Sequence, residues 1–231
     1  MTARSSTVAA RRRARRAEIV RATRELFDER GLRDANMDDI ARAVGVNRAI
    51  IYRHFGSKEE LFALTLAGYL EELDVLLAQA DDPAATTRDR LTAAFGVLAD
   101  YGLQHPAFLD CAIALMRQPG EELLAEIGGG ALVQLGRLMG ATTGRIAAVL
   151  RSGAAAGDLS ASDLATSDAD LLATTLWMQA LGALHLARTG FYVRSADGGP
   201  QTVPVDEATV RHLVVDTLVA VALGSPLTPR R

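Results

Sequence analysis

The sequence predicts an all-α fold. Apolar residues recur at three- to four-residue spacing along most of the chain, and Ser, Thr, Asp or Asn stands just ahead of most of these runs. Aromatics are 5% of the 231 residues, while hydrophobic residues reach 49%. Strands are usually richer in β-branched and aromatic side chains, whereas an amphipathic helix needs only one apolar stripe. About nine helices are expected, in an N-terminal three-helix part over residues 1–61 and a larger helical body over 62–231.

The elements follow from their caps and periods. Ile19, Ala22, Leu26 and Phe27 share one face of a first helix, which Gly31 stops. Asn36, with Asp39 three residues on, can cap a second helix, and Asn47 a third. Ser57-Lys58-Glu59-Glu60 is a capping box for a fourth, apolar through Leu61, Leu64, Leu66 and Leu70. Thr86-Thr87-Arg88-Asp89 opens a fifth in the same way, and Pro106 suits the first turn of a sixth. Gly128-Gly129-Gly130 interrupts the chain before a long helix over about 131–156. Ser167-Asp168-Ala169-Asp170 boxes the next, and Asp206 caps the last, which ends at Gly224 with Pro226 beyond. Residues 157–166 read as a connector. Residues 191–205 read as a loop, because Asp197-Gly198-Gly199-Pro200 and Pro204 are breakers. No strand run is convincing; Phe191-Tyr192-Val193 is at most a short extended piece.

Charge is unevenly placed. Residues 1–61 hold 14 Lys and Arg against 9 Asp and Glu, and the remainder holds 11 against 19. A basic head on an acidic body suggests that only the head meets a polyanion. The run Arg11-Arg12-Arg13-Ala14-Arg15-Arg16 is either a solvated tail or part of that contact. Lys58 is the only lysine. Cys111 is the only cysteine, which excludes an intrachain disulfide and fits a reducing, cytoplasmic setting. The N-terminal charges are followed by no apolar stretch, so no secretory signal is expected. The longest apolar run, Leu213 to Leu223, is too short to span a membrane.

The stretch from Met37 to Phe55 carries the most information. Ala41 is small where two helices would approach, and Gly45 can take positive φ at a tight turn. Ile40, Val44, Val46 and Ile51 are apolar at inward positions. These are the requirements of a helix-turn-helix, whose second helix would project Asn47, Arg48, Ala49, Tyr52 and Arg53 toward a major groove. An αα-corner without a ligand has the same turn pattern.

The continuation Ile51-Tyr52-Arg53-His54-Phe55-Gly56-Ser57-Lys58-Glu59-Glu60-Leu61-Phe62 resembles the signature of the TetR family of regulators, as does the lead-in Phe27-Asp28-Glu29-Arg30-Gly31-Leu32. The resemblance covers about residues 15–62. It implies that Arg48, Ala49 and Ile50 read bases, that Tyr52, His54 and Lys58 donate to phosphates, and that Asn36 both caps the second helix and touches phosphate. Met37, at the start of that helix, is placed with these DNA contacts. Ala35 and Gly56 depart from the family's commoner residues, and Ile50 is larger than its usual counterpart. Beside a helix-turn-helix, the run from Arg11 to Arg16 is expected to hold the DNA backbone or reach a minor groove.

The resemblance further implies double-stranded operator DNA as partner, an effector-binding body, and a homodimer built by the last two helices, here about 167–190 and 206–223. Ala180-Leu181-Gly182-Ala183 would allow close approach, and Val210, Val214, Leu218 and Val221 form an apolar stripe assigned to that interface. Candidate effector-contacting residues are Phe95, Tyr101, Cys111, Leu115, Met116, Met139, Trp177 and Met178, which suit a small hydrophobic or aromatic molecule.

Other functions find less support. There is no phosphate-binding glycine motif and no nucleophile elbow, so an enzyme is not expected. The four His and one Cys are scattered, so neither a metal nor another cofactor is expected. A sequence-nonspecific architectural DNA binder is the alternative to an operator-specific repressor.

Overall fold

A computed structural model of the chain describes residues 2–30, 37–117, 120–159, 168–196 and 199–224. Among the described residues are ten helices and one hairpin. The helices are α1 (Thr2–Arg30), α2 (Met37–Val44), α3 (Arg48–His54), α4 (Lys58–Ala80), α5 (Thr87–Gln104), α6 (Pro106–Met116), α7 (Gly120–Glu126), α8 (Gly129–Ala156), α9 (Ala169–Thr189) and α10 (Glu207–Ala222). Strands β1 (Phe191–Ala196) and β2 (Gly199–Pro204) lie between the last two helices. Among the described residues the all-α class holds for everything but that hairpin.

Four helix caps are made as hydrogen bonds, three at predicted residues and the fourth at Asp168, one residue after the Ser167 at which the box starts. Asn47, Thr86, Asp168 and Asp206 accept from the backbone N–H groups of Ile50, Asp89, Leu171 and Thr209. Each satisfies one of the donors that a helix start leaves unpaired. The expected roles of Gly31, Asn36, Ser167 and Pro226 fall outside the described residues.

The chain divides into two compact units: Met1–Tyr69 with Pro106–Arg137, and Leu70–His105 with Leu138–Arg231. In the first, Ile19, Phe27, Ile40, Ile51, Phe55 and Leu61 are fully buried. Phe27 and Phe62 meet edge to face, 5.2 Å between centroids. Helix α6 joins this core through Phe108, whose ring is 6.1 Å from that of Tyr69. Tyr69 in turn donates to Asp28 at 2.7 Å, and Arg24 lies over its ring. Burial is the main cause that pushes the Tyr69 phenol far above its usual pKa, so it is a permanent donor here.

In the second unit α5 packs against α9 and α10. Phe95, Leu98, Leu176, Trp177 and Leu184 form its centre. The Arg211 guanidinium grips both oxygens of Asp100 at 2.5 and 2.9 Å, locking α10 to α5. Here the apolar stripe of α10 needs correcting. Val210, Val214 and Leu218 are at most 2% exposed in the single chain, so they belong to its own core. Only Val221 of that set faces outward, with Leu213. Helix α10 is apolar on two faces, and periodicity alone does not say which one its own chain covers.

The loop expected over 191–205 is a second correction. It is an antiparallel ribbon pairing Phe191 with Pro204 through Ala196 with Gly199. Pro200 and Pro204 fall four residues apart, so both nitrogens point to the same side. In a two-stranded ribbon that side faces away from the partner, where no ladder donor is needed. Just beyond the Phe191–Pro204 pair, Val205 N–H donates to Gly190 O at 2.9 Å. Phe191, Tyr192, Val193, Thr202 and Val203 are strand formers, and Asp197-Gly198 is a two-residue hairpin signal that the prolines obscured.

Candidate nucleic-acid interface

The elbow between α2 and α3 is a helix stop built on Gly45. Gly45 N–H donates to Arg42 O at 3.1 Å and Val46 N–H to Ala41 O at 2.9 Å. This crossed pair is the Schellman arrangement, and it requires a left-handed residue just past the end of the helix. Gly45 supplies it with φ of 71°. The chain leaves α2 in a fixed direction, and Asn47 then starts α3 at once.

Helix α3 presents two chemically different faces. Ile51 is fully buried beside Phe55, while Asn47, Arg48, Ala49, Tyr52 and Arg53 are exposed and Ile50 half-buried. The Arg48 side chain lies over the Tyr52 ring, 5.4 Å from guanidinium carbon to centroid. Its Nη2 donates to Tyr52 Oη at 3.3 Å, and the Asp38 carboxylate is 3.6 Å away. All three groups are exposed, so these contacts orient Arg48 without tying it down. Lys58, on the first turn of α4, is exposed with its Nζ 4.9 Å from the Phe62 ring centre.

The start of α4 is pinned by Glu60. The Ser57 hydroxyl accepts from Glu60 N–H at 2.9 Å, and the Glu60 carboxylate accepts from Gly56 N–H at 2.7 Å. The same carboxylate accepts from Arg16 at 2.7 Å, and Ser57 Oγ donates to Glu126 O at 2.7 Å. Arg16 also donates to His54 O at 2.6 Å and lies over the Phe55 ring. The Arg-rich lead-in is therefore a continuous part of α1, and Arg16 is a structural clamp on α3 and α4. Only the capping box gave a sequence signal for Glu60, and nothing in the sequence marks Arg16 among its neighbours.

His54 is half-buried, and its Nδ1 has no partner among the described residues. Burial first, then the charges of Arg12, Arg16, Arg53 and Arg15, hold the imidazole pKa below its usual value. Both causes favour the neutral form of the ring.

Met37 is buried in the first unit, so a DNA contact from it would come through backbone at the start of α2. Asn36 lies outside the described residues. The effector candidates fall in both units: Cys111, Leu115 and Met116 in the first, and Phe95, Tyr101, Met139, Trp177 and Met178 in the second. Phe95, Tyr101, Cys111, Leu115 and Trp177 are buried, Met139 is half-buried, and Met116 and Met178 are each 43% exposed and face solvent. Burial raises the Cys111 thiol well above its usual pKa, which makes it an unreactive apolar group. A small cleft in the second unit is lined by Leu77, Asp81, Arg90, Ala94, Arg145 and Val149, none of them among the candidates. Among the described residues no three His, Cys, Asp or Glu side chains converge as a metal site, and no helix is long and apolar enough to cross a membrane.

A sequence profile described as "Bacterial regulatory proteins, tetR family" matches residues 19–65, the stretch that contains this elbow, α3 and the pinned start of α4. Over residues 19–65 the chain is similar to the TetR family. The chain is 36% identical over 87 residues to the HTH-type transcriptional activator FasR of Mycolicibacterium smegmatis, covering 38% of this chain and 40% of that one. It is 33% identical over 116 residues to the HTH-type transcriptional repressor KstR2 of Mycobacterium tuberculosis, covering 48% and 58%. The chain thus spans about half the length of these curated relatives. The fold matches that of FadR from Bacillus subtilis, solved with stearoyl-CoA, at a TM-score of 0.61 and 14% identity over 88% of this chain and 97% of that one.

Proposed function

We propose that this chain is a ligand-responsive transcription regulator that binds a palindromic operator as a homodimer and acts as a repressor released by a small hydrophobic effector. One observation carries the reading: α3 buries Ile51 and leaves Arg48, Ala49, Tyr52 and Arg53 exposed on a helix aimed by the Gly45 elbow. Arg can bind guanine O6 and N7 together, and Ala can contact a thymine methyl.

A single α3 covers only a few base pairs, so a two-fold pair reading half-sites roughly 34–36 Å apart is the economical solution. The outward apolar residues Leu171 and Met178 of α9, with Leu213 and Val221 of α10, support these helices as the dimer surface. The relatives' names include one activator and one repressor, and the repressor reading is our choice between them. An apolar effector is supported by the long acyl chain bound to FadR and by the apolar character of Phe95, Trp177 and Leu115. Effector binding is proposed to shift α4 through Leu61, Leu64 and Leu66 and so alter the spacing of the two α3 helices. It can do this only by binding the two states with different affinity.

The test is selection from a random-sequence duplex pool with the purified full chain. The reading predicts enrichment of one inverted repeat. Binding that enriches no motif would replace it with a sequence-nonspecific architectural role, and no binding would remove DNA altogether.

A further inference from the structure

The hairpin between α9 and α10 has one closed edge and one open edge. Val205 N–H donates to Gly190 O. Hydrogen-bonded and non-hydrogen-bonded pairs alternate along an antiparallel ladder. The next pair, Phe191 with Pro204, is therefore non-hydrogen-bonded, as are Val193 with Thr202 and Ser195 with Pro200. The backbone groups of these residues point away from the ribbon. On β2 two of the three are proline, so that edge offers one N–H, from Thr202. On β1 the N–H and C=O groups of Phe191, Val193 and Ser195 all point outward, and among the described residues no other backbone group bonds them.

Neither face of the ribbon is covered. Phe191 and Val193 lie on one face and Tyr192 on the other, and they are 43%, 60% and 44% exposed. A two-stranded ribbon is marginal in water on its own, and an open apolar edge is a template for another strand. This edge fits its own copy. Turned antiparallel about a two-fold axis at Val193, it sets Val193 against the partner's Val193 and Phe191 against the partner's Ser195. Every outward N–H then meets an outward C=O. Tyr192 stands opposite the partner's Arg194, ring against guanidinium, and no two arginines are opposed. Both outer edges of the resulting sheet are proline-blocked β2 strands, which stops growth at two chains.

The area needed also favours a second copy. A stable dimer buries roughly 800 Å² on each partner, about 20–30 residues a side. The large apolar residues exposed on α9 and α10 are Leu171, Met178, Leu213 and Val221, and the ribbon that joins the two helices extends that surface. We infer that β1 pairs edge to edge with β1 of a second copy, giving a four-stranded intersubunit sheet in the order β2-β1-β1-β2. This rests on the homodimer reading above and adds to it a backbone interface with its own register.

The test is sedimentation equilibrium of the full chain without DNA, for wild type, Val193→Pro and Thr202→Pro. Both substitutions remove an outward N–H and leave the β1–β2 ladder whole, but only Val193 is on the open edge. Val193→Pro removes two intersubunit hydrogen bonds, one from each copy, and should raise the dimer dissociation constant roughly 10- to 100-fold. Thr202→Pro should match wild type. A second readout does not depend on how proline affects the hairpin. Cys111 is buried with its thiol pKa raised, so Val193→Cys and Thr202→Cys each carry one reactive thiol. A bis-methanethiosulfonate reagent as long as one strand spacing, about 5 Å, should join Val193→Cys into a covalent dimer. It should not join Thr202→Cys, whose mate is three spacings away. A Val193→Pro dimer as tight as wild type, or equal cross-linking at 193 and 202, would overturn the inference and leave dimerisation through the helices standing. A wild-type chain that stays monomeric would overturn the homodimer reading itself.

Discussion

Arg16 on α1 and Glu60 on α4 are joined by a 2.7 Å charged hydrogen bond between residues 44 positions apart. Because Glu60 also accepts from Gly56 N–H, one carboxylate ties the first helix to the turn that follows α3. Replacing Glu60 with Ala leaves a part-buried guanidinium and a backbone N–H without their acceptor. We expect a loss of about 1–3 kcal/mol in urea unfolding. Glu60→Gln keeps one acceptor oxygen, enough for one of the two donors, and should lose less. A change below about 0.5 kcal/mol in Glu60→Ala would show the pair to be incidental.

Gly45 tests the elbow by backbone conformation alone, since a Cβ there would meet nothing within 4 Å. At φ of 71°, Asn should be tolerated and Val should not. Urea melts should place Gly45→Val about 1–3 kcal/mol below wild type, with Gly45→Asn above Gly45→Val. Equal stability of the two variants would mean the left-handed residue is not required.

Arg48 and Tyr52 separate base reading from backbone holding. Arg48→Ala should cost about 1–3 kcal/mol of operator binding and relax preference at one position of each half-site. Tyr52→Phe should weaken all duplexes alike. Neither should change stability by more than about 0.5 kcal/mol, because both side chains are exposed. Uniform weakening by Arg48→Ala would move that residue to the phosphate backbone.

His54 gives a pH dependence with a definite sign. Its folded pKa is below the ordinary 6.5, so the unfolded chain takes up the proton first as pH falls. Stability from this group is fully present above about 6.5 and is lost as pH drops below it, until the folded ring also protonates. Unfolding free energies of wild type and His54→Asn, compared from pH 7.5 downward, should show the steeper decline in wild type. Parallel curves would mean the ring titrates alike in both states.

Much of the site was legible because its determinants are local. The caps at Asn47, Thr86 and Asp206 and the glycine stop at 45 each depend on residues within one helical turn, and linear spacing shows such pairs directly. The Arg16–Glu60 pair depends on a fold that brings distant turns together, and no spacing rule reaches that far. The side of α10 that its own chain covers was equally hidden, since Val214 and Leu213 are neighbours in sequence yet one is buried and the other exposed. The hairpin was missed for another reason: prolines weigh against a central strand, but Pro200 and Pro204 occupy an edge where no donor is needed. That α6 packs with α1 is likewise a tertiary choice that its apolar periodicity does not encode.

The most direct test is competition between the selected duplex and a scrambled one of equal length for the purified chain at fixed, near-physiological salt. If α3 reads bases from a two-fold pair, the selected duplex binds at least about 10³-fold more tightly, with two protomers per duplex. Equal affinity for the two duplexes, or a single protomer saturating the palindrome, would contradict the account.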